Sequence, residues 1–500
     1  MMKRIGILVI TILTVFSVSA QKKGHKISLT APQLANETFY LAYHYEQKQY
    51  ISDTLIFDNK GKLTIEGDEP LHHGVYLAVF PSLKNRYYEF LIKDQFFGME
   101  LKDTTKMNAV SFVNSQDNLI FQTDMNEMQE LRNASQVLDG KIKTATSEEE
   151  KQKWKEELND INTAFTEKRV KLIEDNPDLF YSDILGMLRE IKIPESPKDE
   201  NGEELIENFR FKYFRSHYWD YVDFSEEGII RTPLFKTKID DFLEKYTYKS
   251  QDSLIHSCDI IVELAKANEK VFQYVLVTLV NKYANSKVMG DDAVYVHLVK
   301  NYYETGLASW INEEQLAKMK ERRVALEPLL IGKISPNLTL RDTTISNLYT
   351  LHDITTDYTI LYIWDPECGH CKKVTPKLGE FYKKHTNESL SVYAITTSNI
   401  EEIDVWKNFI KKHNLDWINV GDLYHQTKFR SLYDVTSTPQ VFVLDKNKKI
   451  IAKRIGVEQL EGFFHQYMKN TGDENYMNFE LDNNALQGED EHHEGDGHAH

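Results

Sequence analysis

The sequence predicts a multidomain protein with an N-terminal antiparallel β-sandwich, a central mostly α-helical domain and a C-terminal α/β domain. Three observations lead to this prediction. Residues 24–112 alternate apolar and polar side chains, residues 113–330 repeat apolar side chains at helical spacing, and residues 331–470 alternate strand-like and helix-like runs. A chain of 500 residues is long enough for each part to bury its own core.

The first twenty residues have the pattern of a secretory signal peptide. Lys3 and Arg4 precede an apolar run over residues 5–16, and Val18-Ser19-Ala20 follows with small side chains. We expect cleavage near Ala20 and a mature protein in an oxidising compartment, the periplasm. The apolar run is short for a membrane span, and no later run is long enough, so we expect no membrane span in the mature form.

Residues 24–112 are expected to form a β-rich domain. Phe39, Leu41 and Tyr43 alternate with more polar residues, and Asn59-Lys60-Gly61 marks a turn. Such alternation is typical of antiparallel strands with one buried face, and a small sandwich is the expected product. His72-His73 is expected to be a solvent-facing turn rather than a metal site.

Residues 113–330 are expected to be helical. Apolar side chains at spacings of four, three and four form a stripe suited to packing against another helix: Trp154, Leu158, Ile161 and Phe165. Cys258 shares a helical face with Leu254 and Ile261, so we expect it to pack in a core rather than serve as a third redox thiol.

Residues 331–470 are expected to form an α/β sheet with helices on both faces. Strand-like runs occur at 360–364, 392–396, 417–420 and 441–444, and a helix over 458–468 closes the domain.

The most informative motif is Cys368-Gly369-His370-Cys371. A strand and a short turn before it should deliver Cys368 to the N-terminal end of a helix, where unpaired N–H groups and the helix dipole stabilise a thiolate. Cys368 is therefore the expected nucleophile and Cys371 the resolving thiol. His370 is expected to stabilise the thiolate further, which makes the disulfide more oxidising.

A zinc knuckle and a static disulfide are the alternatives for these cysteines. Structural zinc needs four ligands, and the only other cysteine is Cys258. A disulfide across two residues closes too short a loop to stabilise much. We therefore expect no metal site, and no cofactor other than a redox-active Cys368-Cys371 disulfide.

Three features outside the cysteine pair carry a family resemblance. Trp364 ends the strand before the motif, Pro376 lies five residues after the second cysteine, and Thr438-Pro439 precedes an apolar strand. With these features, residues 331–470 resemble the thioredoxin fold of exported bacterial thiol-disulfide oxidoreductases of the TlpA and ResA type. The resemblance implies that the Thr438-Pro439 bond is cis, faces the disulfide and lets the Thr438 backbone bind an extended substrate segment.

The resemblance also implies that Pro376 kinks the active-site helix. Tyr362 departs from the pattern, because many thioredoxins carry a buried acid at this position that manages the proton of the second thiol. Asp365 and Glu367 are the nearby carboxylates, and we expect them to be exposed and at most supporting. Residues 24–112 and 113–330 resemble β-rich and helical modules that accompany exported thioredoxin-like domains, without motifs that identify functional residues.

The predicted function is an exported enzyme that exchanges disulfides with protein substrates, as their reductant. The resemblance implies a membrane thiol-reductase system as electron donor. A disulfide oxidase or isomerase remains an alternative, because direction depends on the potentials of the partners. A redox-sensing, partner-binding protein with little turnover is another. A thiol peroxidase is disfavoured, since the usual Pro and Thr or Ser before a peroxidatic cysteine are missing.

Residues 471–500 are expected to be a disordered, acidic tail that contains histidines. This segment holds nine acidic residues of a chain with a net charge of −17. Weak binding of a transition metal by its histidines is the competing interpretation. The rest of the chain is only mildly acidic, which gives no support for nucleic-acid binding.

Overall fold

The computed structural model describes residues 23–104, 110–385, 389–473 and Phe479. The predicted signal peptide and most of the predicted acidic tail, including its histidines, lie outside the described residues. The chain forms two compact units, one of residues up to Tyr246 with Leu264–Phe272, the other of Thr247–Glu263 with residues from Gln273 onward. The predicted composition of β-rich, helical and α/β parts is confirmed, although the helical part is divided between the two units.

Eight strands begin the described part of the first unit: β1 His25–Thr30, β2 Thr38–Tyr45, β3 Lys48–Ile56, β4 Lys62–Gly67, β5 Gly74–Phe80, β6 Arg86–Ile92, β7 Phe96–Leu101 and β8 Val110–Val113. They form two four-stranded sheets in the orders β4-β1-β7-β8 and β3-β2-β5-β6. β1 is an exception to the predicted antiparallel arrangement, because it pairs parallel with β7. Parallel neighbours need a long connection, and here that connection passes through the other sheet.

The two sheets contribute to one apolar core. Ile27 and Phe97 from the first sheet and Phe39 and Phe90 from the second are buried in the same cluster. The alternation of buried and exposed residues along β2 and β4 follows the period of a strand with one face on a core.

Five helices complete most of the first unit: α1 Gln116–Thr144, α2 Glu148–Asp175, α3 Phe180–Leu188, α4 Phe209–Ser216 and α5 Phe235–Lys245. Ser115 and Ser147 cap α1 and α2 by accepting backbone N–H bonds. The helices are tied together by Asp124 of α1, which accepts hydrogen bonds from Arg169 and from the Tyr181 hydroxyl, both at 2.5 Å.

His72 and His73 differ from the expected solvent-facing pair. His72 is exposed, but its Nδ1 lies 3.1 Å from Glu227 Oε1. His73 is partly buried, with Nδ1 2.8 Å from Glu226 Oε1. Both carboxylates belong to a segment more than 150 residues further along the chain, so their proximity depends on tertiary packing.

The remaining helices before the α/β part are α6 Gln251–Ala265, α7 Glu269–Ala284, α8 Asp292–Leu298, a π-helical turn Val299–Tyr303 and α9 Glu313–Leu326. Cys258 of α6 is fully buried, in agreement with the expected core position. Burial raises the pKa of its thiol to about 12, which keeps it protonated. No helix of the described residues has both the length and the apolar character that crossing a bilayer requires.

The α/β part contains β9 Thr339–Asp342, β10 Leu348–Thr350, β11 Tyr358–Trp364, α10 Gly369–Lys384, β12 Leu390–Thr396, α11 Ile403–His413, β13 Ile418–Gly421, α12 Phe429–Leu432, β14 Gln440–Asp445, β15 Ile450–Lys453 and α13 Leu460–Thr471. Its seven strands follow the order β10-β9-β13-β12-β11-β14-β15. Central β11 pairs parallel with β12 and antiparallel with β14. Apolar clusters cover both faces of the sheet, as predicted for helices on two sides.

A buried ion pair joins the α/β sheet to the helices before it. Lys453 at the end of β15 donates to Asp292 of α8 and, at 2.7 Å, to the Leu329 carbonyl. The two side chains are only 3% and 10% exposed. Because an isolated buried charge is costly, each partner depends on the other.

We therefore predict that Asp292→Ala lowers the free energy of unfolding by roughly 3–5 kcal/mol, because it leaves the Lys453 ammonium buried and unpaired. Urea unfolding followed by tryptophan fluorescence measures the effect. Adding Lys453→Met should recover part of the loss. The exposed pair Lys318–Glu314 provides the control, since Lys318→Ala should cost less than about 1 kcal/mol. Equal effects of Asp292→Ala and Lys318→Ala would contradict the prediction.

Candidate active site

The two motif cysteines lie where the central strand meets its helix. All seven residues of β11 are buried, so side chains on both faces of this strand are packed against other parts of the protein. After Trp364 the chain turns, and α10 begins at Gly369 with Cys368 as its N-cap residue. The predicted position of Cys368 at a helix N-terminus is thus the position that the structure shows.

The contacts of the Cys368 sulfur suit a thiolate. The Cys371 N–H donates to Cys368 Sγ at 3.4 Å. In its protonated form, Cys368 Sγ donates to the Thr438 carbonyl at 3.5 Å. Both cysteines are free, Cys368 is partly exposed and Cys371 is fully buried. An attacking thiol must be accessible to the substrate, whereas the resolving thiol can be buried. Cys368 meets the first condition and Cys371 the second.

The two thiols have opposite pKa shifts. Burial acts to raise the pKa of Cys368, but hydrogen bonds from the Cys371 and His370 backbone, together with contacts to Cys371 and Thr438, lower it below the ordinary value. Burial raises the pKa of Cys371 to about 12, only partly opposed by the Asp365 backbone. At neutral pH the proton therefore stays on Cys371.

Tyr362 occupies the position where many thioredoxins carry an acid. Its ring is fully buried and stacks on Trp364, with centroids 6.2 Å apart. Its hydroxyl shares a 2.7 Å hydrogen bond with Thr375 Oγ1. Burial raises the pKa of Tyr362 above its usual value, so this phenol stays neutral and adds no negative charge beneath the cysteines.

The turn before Cys368 is held by a carboxylate that is less exposed than expected. Asp365 is partly buried, and its Oδ1 accepts from the Glu367 N–H at 2.7 Å. Its Oδ2 accepts from Thr397 Oγ1 at 3.0 Å. Glu367 is exposed, as expected. Thr397, at the end of β12, was not recognisable as a site residue, because only strand pairing brings it beside β11.

The Thr438-Pro439 bond is cis, as the resemblance implies. Thr438 lies beside Cys368 through the carbonyl contact described above. The space beside Gly369 is open, because a Cβ added there would meet no heavy atom within 4 Å. Pro376 lies inside α10, where its ring nitrogen cannot donate the usual helical hydrogen bond.

The His370 side chain is exposed. Its backbone N–H is among the groups that lower the pKa of Cys368. The charge of His370 does act on Glu458, whose pKa is lowered against the effect of burial by its backbone, by Lys377 and by His370. Glu458 Oε1 accepts from Lys377 Nζ at 3.2 Å. Its place near the site was not visible in the sequence, because α10 and the segment before α13 are far apart in the chain.

Within the described residues, no group of three or more His, Cys, Asp or Glu side chains could hold a metal ion.

Two family models match the chain. Residues 356–450 match a model described as thioredoxin-like. Residues 144–327 match a domain of unknown function. The cysteine motif and the cis-proline both lie inside the first match.

Curated relatives cover the same kind of domain. The thiol-disulfide oxidoreductase ResA of Bacillus cereus is 32% identical over 143 residues, which are 28% of this chain and 80% of that protein. ResA of Bacillus subtilis is 27% identical over 142 residues, 28% of this chain and 76% of the relative. Most of this chain therefore lies outside the shared region.

Solved structures also match. A domain of a possible thiol-disulfide isomerase from Cytophaga hutchinsonii is 44% identical, covering 29% of this chain and 97% of that one, with a TM-score of 0.27. A thioredoxin-like protein from Bacteroides caccae is 20% identical and covers 55% of this chain and 98% of that one, with a TM-score of 0.42.

The opposite pKa shifts predict that Cys368 and Cys371 become reactive toward an alkylating reagent at different pH values. In the reduced protein, iodoacetamide should modify Cys368 with a rate that rises through a midpoint below about 8.5, the value of an unperturbed thiol. Cys371 should react only in strongly alkaline solution, because its thiolate is scarce below a pKa of about 12. Mass spectrometry of quenched samples identifies the labelled residue. Preferential labelling of Cys371 at neutral pH would contradict the assignment, and Cys258 should stay unlabelled throughout.

Proposed function

The chain belongs to the thioredoxin-like thiol-disulfide oxidoreductases of the ResA type, and from this premise we propose that Cys368 and Cys371 reduce disulfides of exported proteins. The observation that carries the proposal is the contrast between the thiols. Cys368 is accessible with a lowered pKa, whereas Cys371 is buried with a pKa of about 12. In a dithiol of this kind, the first thiol is available as a thiolate nucleophile. The second thiol stays protonated until the mixed disulfide has formed.

In the first step, the Cys368 thiolate attacks one sulfur of a substrate disulfide. The substrate S–S bond breaks, a mixed disulfide forms, and the other substrate sulfur leaves as a thiolate that takes up a proton. The Cys371 N–H, which donates to Cys368 Sγ before the attack, loses a charged acceptor when the bond forms.

In the second step, Cys371 gives up its proton and attacks Cys368 Sγ. The mixed disulfide breaks, the second substrate thiol is released, and the Cys368–Cys371 disulfide closes, so two electrons pass to the substrate. Tyr362 remains neutral and is a poor proton acceptor, so we assign the proton to solvent or to the thiolate that leaves.

The Thr438 backbone is proposed to bind an extended substrate segment beside Cys368. Its contact with the Cys368 sulfur and the open space at Gly369 support this role. Trp364, Glu367 and Pro376 are proposed to support the site by shaping the end of β11, the turn and the helix.

A dithiol on a membrane reductase is the proposed electron donor that restores the two thiols. Export by the signal peptide would place the cycle in the periplasm, where substrate disulfides form.

Oxidation or isomerisation of substrate disulfides is the second candidate function. It is favoured by the positive charge that His370 can place near the thiolate, which stabilises the reduced form.

Two sheets that share one apolar core support a β-sandwich in the first unit. We propose that this unit recognises partners, while the cysteines of the second unit carry out exchange.

Replacing the resolving thiol should trap the first step. We expect Cys371→Ser to accumulate a mixed disulfide with insulin and to lose catalytic turnover, because no second thiol can release the product. Non-reducing electrophoresis detects the adduct, and insulin turbidity measures turnover. Cys368→Ser should give neither adduct nor turnover, and Cys258→Ala should behave as wild type. Sustained insulin reduction by Cys368→Ser would disprove the proposal.

His370 should set the potential without being required for exchange. We expect His370→Ala to lower the reduction potential of the pair by roughly 30 mV, the equivalent of about 1.4 kcal/mol. Equilibration with glutathione buffers measures it. His425→Ala is the matched control, since His425 is an exposed histidine of the same unit. An unchanged potential in His370→Ala would show that the imidazole does not stabilise the thiolate.

A further inference from the structure

A pocket in the first unit has the character of a binding site. It has a volume of about 620 Å³, and its lining includes Tyr76 of the apolar core that the two sheets share. Its walls include Tyr43, Tyr45, Tyr50, Ser52, Tyr76 and Arg231. These residues come from β2, β3, β5 and the segment before α5, so the pocket is built by tertiary packing.

The tyrosines form an ordered aromatic wall. Tyr43 lies between Tyr50 and Tyr76, with both ring centroids 5.9 Å away. Tyr45 meets Tyr50 edge to face at 6.4 Å. Tyr50 is 42% exposed although its ring stacks on Tyr43. Such rings offer large apolar faces with polar tips, a combination that is common in recognition surfaces.

Arg231 supplies a cation to the same pocket. Its side chain is only 10% exposed. Nη1 donates to the His73 carbonyl at 3.4 Å and lies 3.9 Å from Glu227 Oε1, both long contacts. Among the described residues, Nε and Nη2 take part in no hydrogen bond of the structure. The guanidinium therefore keeps donors for a ligand.

The neighbours of Arg231 do not neutralise it. Glu227 contacts Lys270 Nζ at 2.9 Å and His72 at 3.1 Å, both closer than its contact with Arg231. Burial and the charge of Arg231 lower the pKa of His72, so this histidine is neutral at neutral pH. The pocket walls therefore present one net positive charge, which favours an anion.

Gly74 makes room for the arginine. A Cβ at Gly74 would lie 2.5 Å from Arg231 Cβ, far closer than non-bonded carbon atoms approach. The missing side chain at the start of β5 thus leaves room for the side chain of Arg231.

The adjoining edge of the sheet indicates what kind of anion fits. β3 is one of the two edge strands of its sheet and pairs only with β2 among the described residues. It exposes Ile51 and Ile56, which are 61% and 68% accessible. A bulge opposite Leu41 and Ala42 places Ser52 at the pocket. Unpaired backbone on an edge strand that exposes apolar side chains is a template for an added strand.

We propose that the first unit binds an extended polypeptide segment along β3 and holds one of its acidic side chains in the tyrosine pocket against Arg231. The carboxylate would accept two N–H bonds from the guanidinium, and the tyrosine rings would pack on the flanking side chains. This inference deepens the proposed function by naming the feature that selects protein substrates, and it rests on that function for its choice of a polypeptide.

A double-mutant cycle on the full chain tests the pairing. The probe is a fluorescein-labelled decapeptide of alternating Thr and Val with one central Asp, and its partner carries Asn instead. Fluorescence anisotropy with the Cys368→Ser, Cys371→Ser protein excludes covalent capture. We expect Arg231→Gln and the Asn peptide each to weaken binding roughly tenfold or more, and their combination to add little, because both remove the same charged hydrogen bonds.

Arg189→Gln is the matched control, since this arginine lies over the Tyr221 ring outside the pocket. It should bind the Asp peptide as the parent does. If Arg231→Gln fails to fold by circular dichroism, Tyr50→Ser replaces it and should weaken binding roughly twofold to tenfold. Equal affinity of the parent for the Asp and Asn peptides overturns the proposal. A loss of affinity in Arg189→Gln alone also overturns it.

Competition with phenylacetate distinguishes a polypeptide from a free carboxylate. We expect it to displace the Asp peptide only at concentrations well above the peptide dissociation constant. Displacement at equal concentration would overturn the role of β3.

Wild-type protein that binds the peptide but does not reduce insulin would refute the proposed function alone. Insulin reduction without peptide binding would refute this inference alone.

Discussion

The hydrogen bond from the Cys371 N–H to the Cys368 sulfur is the interaction on which the redox site depends. It exists because β11 ends at Trp364 and a three-residue turn makes Cys368 the N-cap residue of α10. Backbone donors at a helix N-terminus have no partner within the helix, so they are available to a thiolate. The buried strand and the carboxylate of Asp365 hold this geometry before any substrate arrives.

Burial distinguishes two residues that are chemically identical. Cys371 faces the apolar cluster beneath α10, and desolvation makes its thiolate costly. Cys368 is also partly desolvated, but several hydrogen bonds outweigh that effect. Tyr362 contributes by remaining neutral, because a carboxylate in its place would add negative charge near both sulfurs. The order of attack thus follows from environment rather than from residue type.

Two buried cations, Lys453 in one unit and Arg231 in the other, have different partners. Lys453 has a carboxylate and a carbonyl close to its ammonium group, so its charge is compensated and it joins elements of one unit. Arg231 has only long contacts for one of its nitrogens and faces a pocket of tyrosines. A buried cation with short internal partners is typical of a structural role, whereas one with remaining donors at a pocket is typical of recognition.

By itself, the sequence determined the order of β-rich, helical and α/β parts, the position of Cys368 at the start of a helix and the burial of Cys258, because these follow from local periodicity and chain order. It also indicated the Thr438-Pro439 loop through its resemblance to a known family. Tertiary structure alone decided that Thr397 and Glu458 lie near the cysteines, that β1 runs parallel to β7, and that Arg231 lines one pocket with tyrosines from three strands. These features depend on which strands become neighbours and on how helices pack against them, and residue spacing along the chain does not contain that information.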